Sequence, residues 1–105
     1  MPRQKLDSTA ISEKLADVSL WDIDAGEIAL TRTFKFADFS EAFGFMARAA
    51  LVAEKLDHHP EWKNTYRTVE VRLTTHDASG LTGLDFDLAV AMDRIAAGTG
   101  RKTGS

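Results

Sequence analysis

The spacing of apolar side chains changes period several times along the chain, and each change predicts an element. Ile11 and Leu15 form an i, i+4 apolar pair that predicts a short first helix, with Ser8 as its cap. Trp21 and Ile23 predict a short strand, followed by a turn at Asp24-Ala25-Gly26. Ile28, Leu30, Phe34 and Phe36 then alternate with polar residues, which is the period of a half-buried strand. Arg32 interrupts that alternation.

Asp38 and Glu41 form an Asp-x-x-Glu pattern that caps a long second helix. Phe39, Phe43, Met46, Ala47, Ala50 and Ala53 recur at helical spacing and are read as its core-facing stripe. Pro60 disfavours helical geometry at His59, so the helix is expected to end near His58. A turn at Asn64-Thr65-Tyr66-Arg67 precedes the alternating Val69, Val71 and Leu73. Thr82 and Asp85 make a second capping box, and Leu84, Leu88, Ala91, Met92 and Ile95 give the last helix an apolar face that stops at Gly98.

The predicted order is α-β-β-α-β-β-α. Strands joined by short turns pair antiparallel, so the expected fold class is α+β. It is a two-layer sandwich with a four-stranded antiparallel sheet and three helices on one face. With 105 residues and no internal repeat, one domain over 1–105 is expected, with loose tails at about 1–7 and 98–105.

Composition narrows the functional classes. Apolar residues are 44% and charged residues 28%, ordinary values for a globular chain. The net charge of −3 argues against a direct nucleic-acid surface, which needs clustered Lys and Arg. The chain has no Cys, which excludes disulfides, thiolate nucleophiles and Cys-based zinc sites. No apolar run is long enough for a signal peptide or a membrane span, so a soluble cytoplasmic protein is the expectation.

The three histidines carry the candidate chemistry. His58 and His59 are adjacent at the end of the long helix, and His76 follows the last strand. If the intervening strands pair as a hairpin, all three return to one end of the sheet, where loops converge on a ligand. Glu54 precedes His58 by one helical turn and is expected to meet it, fixing its tautomer and favouring its protonated form. Asp57 and Asp77 each adjoin a histidine. Two histidines before a proline also suit a plain helix stop, and a histidine at a helix end complements the dipole. Metal binding is a rival reading, weakened because adjacent residues point in different directions. No Ser-His-Asp pattern, phosphate-cradling loop or dinucleotide fingerprint is present.

Glu54-x-x-x-His58-His59-Pro60, Tyr66 after five further residues, His76 after nine more and Asp85 after eight resemble the signature of the pterin-4a-carbinolamine dehydratases. The segment FKFADFSEAFGFMARAALVAEKLDHHPEWKNTYRTVEVRLTTHDASGLTGLDFDLA is similar to that family nearly throughout, and Trp21 and the strand Ile28 to Phe36 also fit. The resemblance implies the same sandwich of sheet and three helices. It implies that His58-His59-Pro60 and Thr75-His76-Asp77-Ala78 hold a pterin, with Glu54 and Asp57 beside them and Trp21, Tyr66 and Asp85 in support.

It further implies dehydration of a 4a-hydroxytetrahydropterin in tetrahydrobiopterin recycling, with no cofactor and no metal. His58, His59 and His76 are the catalytic candidates: His58 and His76 as the proton-transfer pair, His59 chiefly for binding. Implied partners are the pterin and further copies of the chain in a homodimer or homotetramer. A transcription factor, for which some animal members act as dimerisation cofactor, and an aromatic amino-acid hydroxylase are further candidates.

Overall fold

The computed structural model describes residues 3–99; the tail residues 1, 2 and 100–105 lie outside the described residues. The elements run α1 (Ser8–Leu15), a 3₁₀ turn (Ala16–Val18), β1 (Asp22–Ile23), β2 (Leu30–Lys35), α2 (Phe39–Leu56), β3 (Glu61–Thr65), β4 (Thr68–Leu73), a second 3₁₀ turn (His76–Ala78) and α3 (Gly83–Gly98). The four strands form one antiparallel sheet in the order β1-β2-β4-β3. This is the predicted α+β fold.

Register assigns the two faces of the sheet. Leu30 pairs with Leu73, Phe34 with Val69, and Arg32 with Val71 and through it Trp62. Leu30, Phe34, Val69, Val71 and Leu73 are buried beneath the helices. Side chains alternate along a strand, so Thr31, Arg72 and Glu61 form a polar row on the opposite, uncovered face. Arg32 breaks the apolar pattern for a tertiary reason. It lies on the helix side, where its Nη1 meets Asp93 of α3 at 2.5 Å and its guanidinium sits 4.1 Å from the centre of the Phe34 ring.

The core-facing side of α2 differs from the sequence reading. Ala42, Phe45, Ala49 and Ala53 are buried, whereas Phe39 is 48%, Phe43 60% and Leu51 73% exposed. Two apolar stripes run along this helix about 100° apart, and periodicity alone does not choose between them. The stripe with three alanines faces inward, where small side chains suit a close approach to neighbouring elements; Phe45 supplies the bulk. It packs at a tilt of 36° against Phe34 and Phe36, with ring centres at 4.6 and 5.0 Å.

Caps fix several boundaries. Asp7, and not Ser8, caps α1, accepting from the Ala10 amide, while the Ser8 hydroxyl turns to Glu27. Asp38 accepts from the Glu41 amide, and Glu41 reaches back to the amide of Ala37. Thr82 and Asp85 form the expected capping box of α3. Residues 3–7, read as part of a loose tail, are tied down. The Leu6 amide bonds to the Leu81 carbonyl, and Arg3 donates to the Asp57 carbonyl at 2.5 Å. Tyr66, in the left-handed region at φ 54°, makes the turn between β3 and β4, and Asn64 pins it by donating to the Tyr66 and Thr68 carbonyls.

Candidate active site

The end of α2 orients two of the histidines. The helix stops at Leu56, because Asp57 adopts the left-handed conformation at φ 53° and ψ 44°. Its amide bonds to the Ala53 and Glu54 carbonyls, and the His58 amide returns to Ala53. This closing turn satisfies the last helical carbonyls, and an aspartate tolerates the conformation better than most residues. Beyond it the two histidines diverge. His58 turns inward and is 6% exposed, while His59 turns outward.

That divergence corrects the expected pairing of Glu54. Its Oε1 lies 2.8 Å from Nε2 of His59, five residues on, and not against His58. The left-handed residue ends helical spacing after Leu56, so the i, i+4 rule no longer applies at His58. The partner of His58 is Asp85 in the first turn of α3, with Nε2 to Oδ1 at 2.6 Å. Asp85 is fully buried. Its Oδ2 accepts from the Thr75 hydroxyl at 2.8 Å and from the Thr82 amide at 2.9 Å. Thr75 and Thr82 share a further bond of 2.8 Å between their hydroxyls. Among the described residues no buried side-chain polar atom lacks a partner.

His76 arrives from the other side. It opens the 3₁₀ turn after β4, in a loop closed by bonds in both directions between Thr75 and Gly80. The ring is exposed, and its Nε2 lies 2.7 Å from Oε2 of Glu61, the first residue of β3. Glu61 Oε1 accepts from Arg72 at 2.8 Å. The Glu61 carboxyl is held below its ordinary pKa by the Arg72 hydrogen bond first and the His76 bond second. Sequence reading passed over Glu61. The signal lay in its place just after Pro60, yet its link to Arg72 and His76 depends on strand register.

These segments enclose a cleft of about 240 Å³ walled by Arg3, Asp57, His58, His59, Thr74, Thr75, His76 and Asp77. All three histidines therefore share one cavity, at the end of the sheet where β3 begins and β4 ends. Arg3 and Thr74 are wall residues that sequence reading did not single out. Pro60 and Ala78, expected at the site, adjoin wall residues without lining it. Two supporting candidates stand elsewhere. Tyr66 is 64% exposed at the far end of the β3–β4 hairpin, roughly 17 Å away by the rise of a five-residue strand. Trp21 is buried and donates to Asp93 at 2.8 Å, beside the Arg32 ion pair. A larger groove of about 440 Å³ crosses the open sheet face, but it contains no histidine.

Each histidine uses Nε2 to meet a carboxylate: Asp85, Glu54 or Glu61. A carboxylate only accepts, so each ring donates through Nε2, and the neutral ring keeps a lone pair on Nδ1. The arrangement suits proton transfer within one cavity. Among the described residues no group of three or more His, Cys, Asp or Glu is placed to hold a metal ion, and no helix is long and apolar enough to cross a membrane.

The family model for pterin 4 alpha carbinolamine dehydratase matches residues 4–95. The chain belongs to this family. A Bradyrhizobium sp. (strain ORS 278) protein named as a pterin-4-alpha-carbinolamine dehydratase is 60% identical over 94 residues, covering 90% of this chain and 94% of the relative. A Chelativorans sp. (strain BNC1) protein of the same name is 57% identical over 97 residues, covering 92% and 99%. Among solved structures, a Brucella melitensis protein described as transcriptional coactivator/pterin dehydratase aligns with a TM-score of 0.84 and 52% identity, covering 89% of this chain and 99% of that one. The family is one of dehydratases, enzymes of the hydro-lyase class.

Proposed function

We propose that this protein removes water from a 4a-hydroxytetrahydropterin, giving the quinonoid dihydropterin, as a step in tetrahydrobiopterin recycling in the cytoplasm. The observation that carries the reading is the cleft shared by His58, His59 and His76, each ring held through Nε2 by its own carboxylate. The substrate bears a hydroxyl on C4a beside the ring nitrogen N5. Breaking the C4a–O bond requires a proton on the departing oxygen, because hydroxide is a poor leaving group. The N5 proton leaves, its electron pair forms the C4a=N5 double bond, and water departs with no change of oxidation state.

His58 and His76 serve as the proton-transfer pair from the two sides of the cleft, one as acid and the other as base. A placed proton-transfer group contributes ~10²–10⁴-fold to the rate. His59, held by Glu54, binds and orients the ring, with Asp57, Thr75 and Asp77 shaping the same wall and Pro60 and Ala78 supporting it from behind as chain neighbours of His59 and Asp77. The reaction needs neither metal nor cofactor.

Self-association accompanies this reading. Phe39, Phe43 and Leu51 expose an apolar stripe on α2, and such patches mark contact surfaces. It supports a homodimer or homotetramer. The coactivator half of the Brucella protein's description supports a second role through a transcription-factor partner; an aromatic amino-acid hydroxylase is the other partner consistent with pterin chemistry.

The test is turnover of freshly generated 4a-hydroxytetrahydropterin by purified protein in EDTA, corrected for the spontaneous reaction. Expected is acceleration in wild type that is lost in His58→Ala and His76→Ala. Wild-type turnover no faster than the background would overturn the reading, and activity that requires added zinc would replace it with a metal mechanism.

A further inference from the structure

His76 is the most loosely placed of the three histidines. Its side chain is 75% exposed, and it sits on a loop outside the sheet. His58 is held by burial as well as by Asp85, but no packing holds His76 to comparable effect. A proton-transfer group must nevertheless meet its substrate atom in a narrow geometry, and small misplacements cost large factors in rate.

Glu61 supplies what the loop lacks. It belongs to β3, and its backbone is fixed opposite Arg72 by the β3–β4 ladder. Both side chains lie on the open sheet face. One carboxylate oxygen accepts from Arg72 at 2.8 Å and the other from the His76 ring at 2.7 Å. With both oxygens engaged, the carboxylate cannot rotate without losing a partner. The ion pair with Arg72 keeps Glu61 charged and acceptor-only, so it takes the Nε2 proton of His76 in one orientation only.

We infer that Glu61 is the positioning residue of His76, anchoring the exposed ring to the sheet with Nδ1 free for the substrate, and that Arg72 holds Glu61 in place for that task. The inference rests on the dehydratase reading for its kinetic consequence but not for its structural content. Glu61 touches no reacting atom and acts through the ring it holds.

The experiment compares wild type with Glu61→Ala, Glu61→Gln and Glu61→Asp by steady-state kinetics, and by NMR relaxation of the His76 ring without substrate. Expected is a kcat reduced on the order of tenfold in Glu61→Ala and Glu61→Gln, with KM within about twofold, since geometry and not ground-state binding is lost. Glu61→Asp keeps the charge and recovers part of the rate. The ring is ordered in wild type and mobile in Glu61→Ala. A Glu61→Ala variant with wild-type kcat, or one whose ring stays as ordered as in wild type, overturns the inference even if it melts at lower temperature. If the wild type itself shows no turnover, the proposed function fails, while the ring measurement still decides whether Glu61 holds His76.

Discussion

Nε2 of His58 lies 2.6 Å from Oδ1 of Asp85, a residue twenty-seven positions further on and fully buried at the start of α3. The same carboxylate holds the Thr75 hydroxyl, one residue before His76, and the Thr82 amide that begins the helix. Asp85 thus joins three segments: the turn after α2, the loop after β4 and the N-terminus of α3. A capping residue has become the point from which two catalytic candidates are set relative to each other.

Replacing Asp85 should therefore damage activity and stability together. In Asp85→Asn the remaining oxygen can serve Thr75 and Thr82 only if the amide group faces His58, which forces the ring to accept through Nε2 and present a proton on Nδ1. That wrong tautomer should lower kcat by on the order of 10²-fold. Asp85→Ala leaves buried donors without an acceptor and should cost about 3 kcal/mol or more. Steady-state kinetics and urea melts check both. An Asp85→Asn enzyme with normal kcat would remove Asp85 from the catalytic assembly.

The three histidine variants should separate by kinetic signature. His58→Ala and His76→Ala are expected to lose on the order of 10²-fold or more in kcat, as for loss of a general acid or base. His59→Ala should mainly raise KM. Glu54→Gln should resemble a mild His59 variant, because Glu54 bonds to His59 at the surface and does not reach His58. A Glu54→Gln effect confined to kcat would instead place Glu54 on the His58 side.

Acid should dissolve the Glu61 network in a defined direction. The folded pKa of Glu61 lies below its ordinary value of 4.5, so the native state binds fewer protons than the unfolded state. Its contribution to stability is present above that value and is lost as pH falls through the lower, folded pKa. The stability gap between wild type and Glu61→Gln should be level around neutrality and close in acid. Its size should be modest and should shrink in high salt, since the partners are solvent-exposed. Urea melts over a pH series measure this, and a gap that widens toward acid would contradict it.

The two faces of α2 should respond differently to truncation. Phe45→Ala empties a fully buried site and should cost about 3–5 kcal/mol. Phe43→Ala should cost little within one subunit, whereas Phe43→Glu should weaken association between copies. Light scattering provides the check: the wild type is expected above, and Phe43→Glu nearer to, the single-chain mass of 11.5 kDa. A wild type that runs as a monomer at micromolar concentration would refute assembly through this face.

Much of this protein is local and therefore visible in one dimension. The strands around Phe34 and Val71 show their period of two, Asp38 and the Thr82–Asp85 pair mark helix starts, and the spacing from Glu54 to Asp85 carries the family. These features depend on backbone geometry over a few residues, which the sequence encodes directly. The convergence of His58, His59 and His76 at one end of the sheet also followed, because a hairpin returns the chain to where it began.

Tertiary structure decided the partners. One left-handed residue, Asp57, rotated His58 away from Glu54 and into the interior, and a single dihedral change of that kind reassigns every contact beyond it. Packing density chose the alanine stripe of α2 for the core over the phenylalanine stripe, a choice that hydrophobicity could not make between two apolar faces. Strand register set Glu61 beside Arg72 and within reach of His76, and the same pairing placed Tyr66 at the far end of the hairpin. Hydrogen bonds between residues distant in sequence are fixed only when the elements dock, so the chain could name its histidines without saying which carboxylate would hold each one.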